Sequence, residues 1–295
     1  MRWIFGLTLC LLFVAVPLLP AAALTISPLM YDPVIAPGAS AQETITITND
    51  TNAAQAVRLT VERFKPRVDG GSAELIVDPT AASWIRPAVT QLQLAAGESR
   101  DVPFEVIVPP TADAGGVYLA LVVETQTMAT QPGAANIRTR VGALIFLTVL
   151  GDIKRSLTIE NFAATALRGQ LPVSFTMTLN NTGTVHLQPE GSVVIKNAFG
   201  NVVAAVPVSE DQITILPGSQ RTLKVTGLAS STLFSTLASL PIGPWQTYAE
   251  VTLTDGTTIQ SVPQTVWLYD WRLLAVIGIG LLIGLGLVAN QYRRS

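Results

Sequence analysis

Cysteine is almost absent from this chain. The only one, Cys10, lies inside the first apolar run, which is predicted to be removed from the mature protein. The mature chain is therefore expected to hold no disulfide, no thiol nucleophile and no cysteine metal ligand. Its stability must come from packed apolar cores, and these need domains of about 100 residues or more.

Histidine is equally rare, because His186 is the only one in 295 residues. A metal site with two histidines cannot form. A catalytic triad through His186 is formally possible, but no serine stands in a nucleophile-elbow sequence. The acidic residues show no calcium-loop spacing, and those in turns are expected to bond their own backbone. We therefore expect a protein that is not an enzyme and that holds no metal and no cofactor.

Basic clusters are also missing. Of the 18 Lys and Arg residues, Arg2, Arg272, Arg293 and Arg294 lie outside 24–270, which leaves 14 against 20 Asp and Glu and a net charge of −6 for that body. A net-acidic body without a basic patch makes nucleic acid an unexpected partner.

Long apolar runs occur only at the two ends of the chain. The first, Ile4–Pro20, follows Arg2 and precedes Ala21-Ala22-Ala23, which satisfies the small-residue rule for signal peptidase. Residues 1–23 are therefore predicted to be a signal peptide cleaved before Leu24. The alternative is an uncleaved N-terminal anchor.

The second apolar run, Leu273–Ala289, contains no charge and no amide. With its flanking residues it predicts a transmembrane helix over 271–290. Arg293 and Arg294 follow it and fit the positive-inside rule. The sequence therefore predicts a single-pass protein of the cell membrane, with an extracellular body and a short cytoplasmic tail at 291–295.

Between these runs the apolar residues alternate with polar ones, which is the period of a β-strand. Glu43–Thr48 is one such segment, and turn formers such as Ala36-Pro37-Gly38 separate the segments. Short alternating strands with these turns predict β-sandwiches. We expect an all-β fold of two tandem immunoglobulin-like β-sandwiches, residues 24–151 and 152–270, followed by one transmembrane α-helix.

The two halves also repeat each other in order. Thr46–Asn52 corresponds to Thr178–Gly183, and Ala96–Arg100 corresponds to Pro217–Arg221. These offsets indicate two domains of one plan. The continuous apolar run Val141–Leu150 is too short to span a bilayer and predicts a buried last strand of the first domain.

Several of these motifs resemble those of the bacterial WxL-interacting proteins. In the first half they are Ile26-Ser27-Pro28, Ser83-Trp84-Ile85, Gly97-Glu98-Ser99 and Gly115-Gly116-Val117-Tyr118; in the second they are Asn181–Gly191, Lys196–Gly200 and Leu216–Arg221. The order of signal, sandwich, sandwich and helix also agrees. The resemblance implies a peptidoglycan-binding first domain, a second domain that binds a partner or host, and no catalytic residues.

Following that resemblance, the expected partners are cell-wall peptidoglycan, secreted surface proteins, or both. A net-acidic domain would bind wall sugars through hydrogen bonds and through stacking on exposed aromatic rings. Phe104 and Phe146 stand in strand patterns that point them inward, so Trp84 and Tyr31 are the candidate ligand-binding residues. The alternative for Trp84, which its sequence context favours, is a core or edge-packing residue.

Two alternatives to a wall-binding protein stay open. One is a chaperone-like role, in which an open sandwich edge captures a strand of an exported protein; this requires an unpaired, apolar edge strand. The other is a structural subunit of a membrane-bound surface assembly, for which a large exposed apolar patch would be the sign.

Overall fold

The computed structural model describes residues 24–65, 74–76, 78–125, 139–166, 173–208, 213–227, 243–268 and 271–294. The predicted signal peptide, 1–23, lies outside the described residues, so its cleavage stays a prediction. The described chain is all-β apart from a short helical turn and a C-terminal helix, as the alternation predicted.

The first sandwich contains two sheets. Its strands and one helical turn are β1 (Leu24–Ser27), β2 (Met30–Tyr31), β3 (Val34–Ile35), β4 (Ser40–Asn49), β5 (Gln55–Lys65), β6 (Glu74–Ile76), α1 (Pro79–Ala82), β7 (Ile85–Pro87), β8 (Gln91–Leu94), β9 (Ser99–Ile107), β10 (Gly115–Thr125) and β11 (Arg140–Val149). One sheet has the order β1-β4-β9-β7. The other has the order β2-β11-β10-β5-β6, with β3 also beside β11 and β8 beside β5.

The core of this sandwich follows from the alternation. In β4, Ile45 and Ile47 point between the sheets and are fully buried, whereas the threonines between them face the other way. Phe104 of β9 is buried in the same core, as predicted. Apolar burial of this kind contributes about 25 cal/mol per Å² to folding, which is the main stabilisation available without disulfides.

Strand β11 is buried on both faces along its second half, as its continuous apolar run predicted. Ile145 and Leu147 point into the core between the sheets. Phe146, however, points to the opposite, outer face of its sheet, where it packs with Tyr118 of β10. The expectation that Phe146 faces the core is therefore wrong. An apolar run that is buried on both faces carries no alternation to reveal which face each residue takes.

The second sandwich repeats this plan. Its described strands are β12 (Leu157–Ala166), β13 (Val173–Asn181), β14 (Glu190–Lys196), β15 (Val202–Pro207), β16 (Gln220–Gly227), β17 (Gly243–Thr252), β18 (Thr258–Gln260) and β19 (Gln264–Leu268). One sheet has the order β12-β13-β16, and the other has the order β15-β14-β17-β18, with β19 also beside β17. Phe175, Met177 and Trp245 are the large residues at the centre of its core.

The sequence repeat is a structural repeat. Asn49 ends β4 and Asn181 ends β13, and both side chains are fully buried. The backbone N–H of Gly97 donates to Asn49 O, and that of Gly218 donates to Asn181 O, each at 2.9 Å. Both glycines have positive φ, +71° and +67°, which disfavours a side chain. The same buried corner therefore closes both domains.

The connection between the sandwiches is short, because β11 ends at Val149 and β12 begins at Leu157. The predicted domain boundary after residue 151 falls inside this connection. Lys154 O accepts from Thr184 N at 2.8 Å, and Lys154 N donates to Thr184 Oγ1 at 2.9 Å. The connection is therefore held against the loop after β13.

Helix α2 (Trp271–Arg294) follows β19 and covers the predicted span, 271–290, and most of the predicted tail, 291–295. Its aliphatic side chains from Ile277 to Val288 that the structure describes are exposed. Within the described residues, no helix reaches the combined length and apolarity of a membrane-spanning segment.

Candidate functional site

Tyr31 was expected to expose its ring, and this expectation is wrong. The ring lies in the core of the first sandwich, where it packs edge-to-face on Phe104 with centroids 5.1 Å apart. Its hydroxyl donates to Thr44 O at 2.7 Å. Burial, together with the nearby negative charge of Glu43, raises the pKa of Tyr31 to about 12. The parallel pairing of β2 with β11 places the ring inside, and a two-residue strand has no alternation to predict that.

Trp84 is half-buried and lines an open cavity of about 520 Å³. The same cavity is lined by Arg63, Asp78 and Asp113. Asp78 caps helix α1 by accepting from Thr80 N and Ala81 N, each at 3.1 Å. The Ala81 hydrogen bond, followed by that from Arg63, holds the Asp78 pKa below its usual value. The predicted binding role of Trp84 stays a prediction.

The clearest candidate site lies on the outer face of the sheet that contains β5, β10 and β11. We define the apolar face as the outward-pointing apolar residues of these strands. They are Phe64, Tyr118, Ala120, Val122, Leu144 and Phe146. The outer face of an exposed sheet is normally polar, so this cluster requires a covering partner.

One end of the apolar face is covered by the second sandwich. The His186 ring lies over Tyr118 and Phe146, with centroid distances of 5.8 and 5.3 Å, and Leu216 packs against the same group. His186 Nε2 lies 3.1 Å from Asp32 Oδ1. Burial raises the pKa of Tyr118, so its phenol stays neutral at any physiological pH. This end of the face is a domain junction.

The other end is an open groove of about 280 Å³. It is lined by Phe64, Leu75, Ala120, Val122, Arg140, Val141, Gly142 and Leu144. Leu75, on the short strand β6, is 45% exposed at one side, and Met30, on the short strand β2, is 41% exposed at the other. The groove therefore continues the apolar face beyond the part that the second sandwich covers.

A charged group closes the far end of this groove. The Arg140 guanidinium donates to a carboxylate oxygen of Glu62, and Arg140 Nε lies 4.0 Å from Glu124 Oε2. Arg140 and Glu124 are paired in the β10–β11 ladder. The groove thus has an apolar floor and a charged rim.

Among the residues that the structure describes, the strand edge beside the groove is open. On the side away from β10, β11 pairs with β2 at Leu144–Ile145 and with β3 at Thr148–Val149. In the described part of the chain, no strand pairs with Arg140–Ala143 on that side. Leu144 N and Thr148 N donate toward that side, to Leu29 O and Pro33 O. Because these groups alternate along a strand, the backbone groups of Arg140 and Gly142 also point toward the open edge.

The open edge and the groove share three residues, Arg140, Val141 and Gly142. An open strand edge offers hydrogen bonds to an extended chain, and the adjacent groove offers burial to that chain's side chains. The sequence showed the apolar run of β11 but could not show its open edge, because the partner strands β2 and β3 lie more than one hundred residues earlier.

Among the described residues, no three or more His, Cys, Asp or Glu side chains lie close enough together to hold a metal ion. His186 packs in the domain junction against Tyr118 and Phe146 and lies beside Asp32.

No family model and no curated protein matches the chain. Solved structures that resemble it include a class 5 fimbriae chaperone, CfaA, at 13% identity and a TM-score of 0.45, covering 84% of this chain and all of that one. The chaperone DraB of E. coli has 12% identity and a TM-score of 0.38, covering 84% and 98%. The CsuC–CsuE chaperone complex of Acinetobacter baumannii has 15% identity and a TM-score of 0.38, covering 81% and 98%. Similarity at this level assigns neither a family nor a function.

Proposed function

We propose that this chain is a non-enzymatic binding protein that captures an extended segment of another exported protein, in a chaperone-like or assembly role at the cell surface. The captured segment adds as a strand beside Arg140–Ala143 of β11. The observation that carries the proposal is the coincidence of this open edge with the apolar groove beside it.

The open strand edge and the apolar groove contribute to binding in different ways. Main-chain hydrogen bonds to Arg140 and Gly142 give affinity for any extended chain, since every peptide offers the same groups. The groove adds apolar burial, which contributes about 25 cal/mol per Å² of surface removed from water. A segment that is unfolded and apolar is therefore favoured over a folded, polar one.

The proposal includes a location. The N-terminal apolar run and the uncharged run Leu273–Ala289 support an exported body outside the cell membrane, with α2 as its single-pass anchor and the C-terminus inside. A tether keeps the open edge of β11 close to the surface where exported chains emerge. Protease added to intact spheroplasts should degrade the body, and survival of the body would contradict this orientation.

The test of strand capture uses a synthetic peptide of alternating threonine and leucine, labelled with a fluorophore, and the full-length chain. Binding is measured by fluorescence anisotropy. A matched peptide carries N-methyl groups on every residue, which removes the N–H donors of both of its edges. We expect the plain peptide to bind at least tenfold more tightly. Equal affinities would reject capture by strand addition.

A substitution tests the groove. Leu75→Asp places a charge at the groove's exposed side and is expected to weaken peptide binding about tenfold. Phe199→Asp is the matched control, because Phe199 is 76% exposed on the second sandwich, far from β11 in the chain. It should leave the affinity unchanged. If both variants bind as well as the natural chain, the groove is not part of the site.

A second candidate function is peptidoglycan binding at the Trp84 cavity. The observation that favours it is the presence of a half-buried indole together with Arg63, Asp78 and Asp113 around one open space. Sugars are bound by such combinations of an aromatic face and charged hydrogen-bonding groups. Cosedimentation of the full-length chain with purified sacculi tests it. Trp84→Ala should abolish retention, whereas Trp267→Ala, at an exposed ring of the second sandwich, should not.

A further inference from the structure

We infer that Gly142 selects the captured segment, by leaving room for one large apolar side chain of that segment beside it. The inference rests on the proposed function, because it names the chemistry of the segment that the open edge of β11 binds. It makes Gly142 a specificity-determining position.

The backbone at this position does not require glycine. Eight glycines of the described chain have φ between +20° and +160°, and Gly142 is not among them. A Cβ built on Gly142 would lie 3.7 Å from Val122 Cγ2 and 3.9 Å from Leu121 O, which is ordinary van der Waals contact. Glycine also weakens a strand relative to residues with a side chain. Neither the backbone conformation nor crowding by neighbouring atoms requires a glycine at position 142 of β11.

The missing side chain opens the groove toward the strand edge. Gly142 is exposed, pairs with Val122 of β10, and alternates with Arg140 and Leu144 on the outer face. A side chain at this position would stand between the floor of the groove and the open edge. Without one, the floor formed by Val122 and Leu144 can be reached from the edge.

Strand geometry directs the captured residue into this space. Residues that lie opposite each other on neighbouring strands point to the same face of the sheet, about 4.5–5.5 Å apart. The residue of the segment beside Gly142 therefore projects onto the outer face. Its side chain lies across the space that Gly142 leaves and contacts the apolar floor of the groove.

The residues of β11 on either side of Gly142 further restrict the sequence of the captured segment. Beside Leu144 the edge is already occupied by Met30 of β2, so the segment ends there. Two residues away in the other direction, the segment passes Arg140 and its carboxylate partners Glu62 and Glu124, which favours a polar residue. The expected segment is a short extended stretch with one large aliphatic or aromatic residue and a polar residue two positions from it.

The groove is continuous with a surface that is already an interface. Phe64 lines the groove and also packs on Tyr118 and Phe146, with centroid distances of 5.7 and 5.5 Å, at the end covered by the second sandwich. The same apolar face thus serves the domain junction at one end. We commit to an extended protein segment as the occupant of the other end, because the open edge of β11 adjoins it.

The experiment combines peptide and protein variants. Labelled nine-residue threonine-rich peptides differ only at the second residue in one set and only at the eighth in another, because the edge is occupied from Leu144 onward. The varied residue is leucine, phenylalanine, alanine or aspartate. Their affinities for the full-length chain, for Gly142→Ala and for Gly142→Val are measured by fluorescence anisotropy. Ser174→Val, an exposed strand position on β13 of the second sandwich, is the control for a general effect of adding an apolar side chain.

The natural chain should bind the leucine and phenylalanine peptides about tenfold more tightly than the alanine peptide, since the larger side chains bury more apolar surface. Gly142→Val should remove that preference while keeping the affinity for the alanine peptide, and Ser174→Val should change nothing. Gly142→Ala should give an intermediate result.

The outcomes separate the two claims. If Gly142→Val keeps the full preference for large residues, the inference about Gly142 is wrong and strand capture stands. If the natural chain binds all peptides equally, selection by the groove is wrong. If it binds none of them, or binds an N-methylated leucine peptide as well as the plain one, the proposed function itself fails, and this inference with it.

Discussion

His186 Nε2 lies 3.1 Å from Asp32 Oδ1, and this contact joins the second sandwich to the edge of the first. Asp32 follows strand β2, which borders β11, whereas His186 lies in the loop after β13. Only 6% of the His186 side chain is exposed, against 44% for that of Asp32. The histidine is therefore a packing residue of the junction as much as an electrostatic partner.

This asymmetry predicts unequal effects of two substitutions. His186→Ala removes a ring packed on Tyr118 and Phe146 and should cost about 2–3 kcal/mol of unfolding free energy, the usual range for emptying a buried site. Asp32→Asn removes only the charge of a half-exposed partner and should cost less than about 1 kcal/mol. Urea unfolding of the full chain measures both. Equal losses would mean that the electrostatic contact, not packing, holds the junction.

Two glycines in neighbouring strands should respond oppositely to the same change. A Cβ on Gly116 would overlap the hydroxyl and ring of Tyr118, whereas one on Gly142 meets nothing closer than 3.7 Å. Gly116→Ala should therefore destabilise the chain by about 1–3 kcal/mol and displace Tyr118 from the junction. Gly142→Ala should leave stability unchanged or slightly raised. Thermal unfolding compares them, and a destabilised Gly142→Ala would show that this site is tighter than the geometry indicates.

The buried corner that ends β4 predicts the effect on stability of a substitution at Asn49. Asn49 Nδ2 donates to Ala53 O and Ala95 O, each at 2.8 Å. Asn49→Ala would leave these carbonyls without that donor inside the protein and should cost about 2–3 kcal/mol. Asn180→Ala is the control, because Asn180 is only half-buried and bonds Glu160 at the surface. A comparable loss in both variants would contradict the role of the buried corner.

The corner also bears on glycosylation. Asn49-Asp50-Thr51 reads as a sequon, yet the Asn49 side chain is fully buried and hydrogen-bonded. A glycan on Asn49 is therefore incompatible with the folded first sandwich. Peptide mapping of the purified protein by mass spectrometry should show no glycan at this residue.

Alkaline pH should unfold the protein partly through Tyr31. Its folded-state pKa is about 12, above the usual tyrosine value of 10.0, because burial and the charge of Glu43 disfavour the phenolate. Below pH 10 the phenol is neutral in both states and stability is complete. Between pH 10 and about 12 only the unfolded state ionises, so stability falls as pH rises.

Tyr31→Phe tests this ionisation, because phenylalanine has no hydroxyl proton to lose. Its thermal midpoint should be lower at neutral pH, because the hydrogen bond to Thr44 O is gone, but it should decline less steeply above pH 10. Tyrosinate absorbance recorded along the same titration gives the second measure. A parallel decline of both proteins would assign the alkaline transition to other groups, Tyr118 among them.

The sequence predicted the elements better than it predicted the site. Alternation placed Ile45 and Ile47 in the core, and the order of turn motifs predicted the repeat that Asn49 and Asn181 form. These features are local, so a short window of sequence contains them. The resemblance to WxL-interacting proteins assigned no binding residues and stays a prediction.

The site itself depends on pairing between distant segments. Phe146 faces outward because the second sandwich covers that face, and Tyr31 faces inward because β2 lies parallel to β11. The open edge at Arg140–Ala143 results from where β2 begins to pair. No pattern within β11 distinguishes its paired half from its open half.

The hydrogen bonds that hold the short connection between the sandwiches have a mechanical consequence. Thr184 bonds Lys154 through both its backbone and its hydroxyl, and Gly116 N donates to Thr184 O at 2.9 Å. If the C-terminal end is held at the membrane and a protein captured beside β11 is pulled away from it, the tension passes through this segment. The Gly116–Thr184 bond must then break before the sandwiches separate, and the Lys154–Thr184 bonds must break before the connection lengthens, so the junction resists small forces as a stiff link. Above a threshold force it would extend abruptly by the length of the released connection and leave both sandwiches folded.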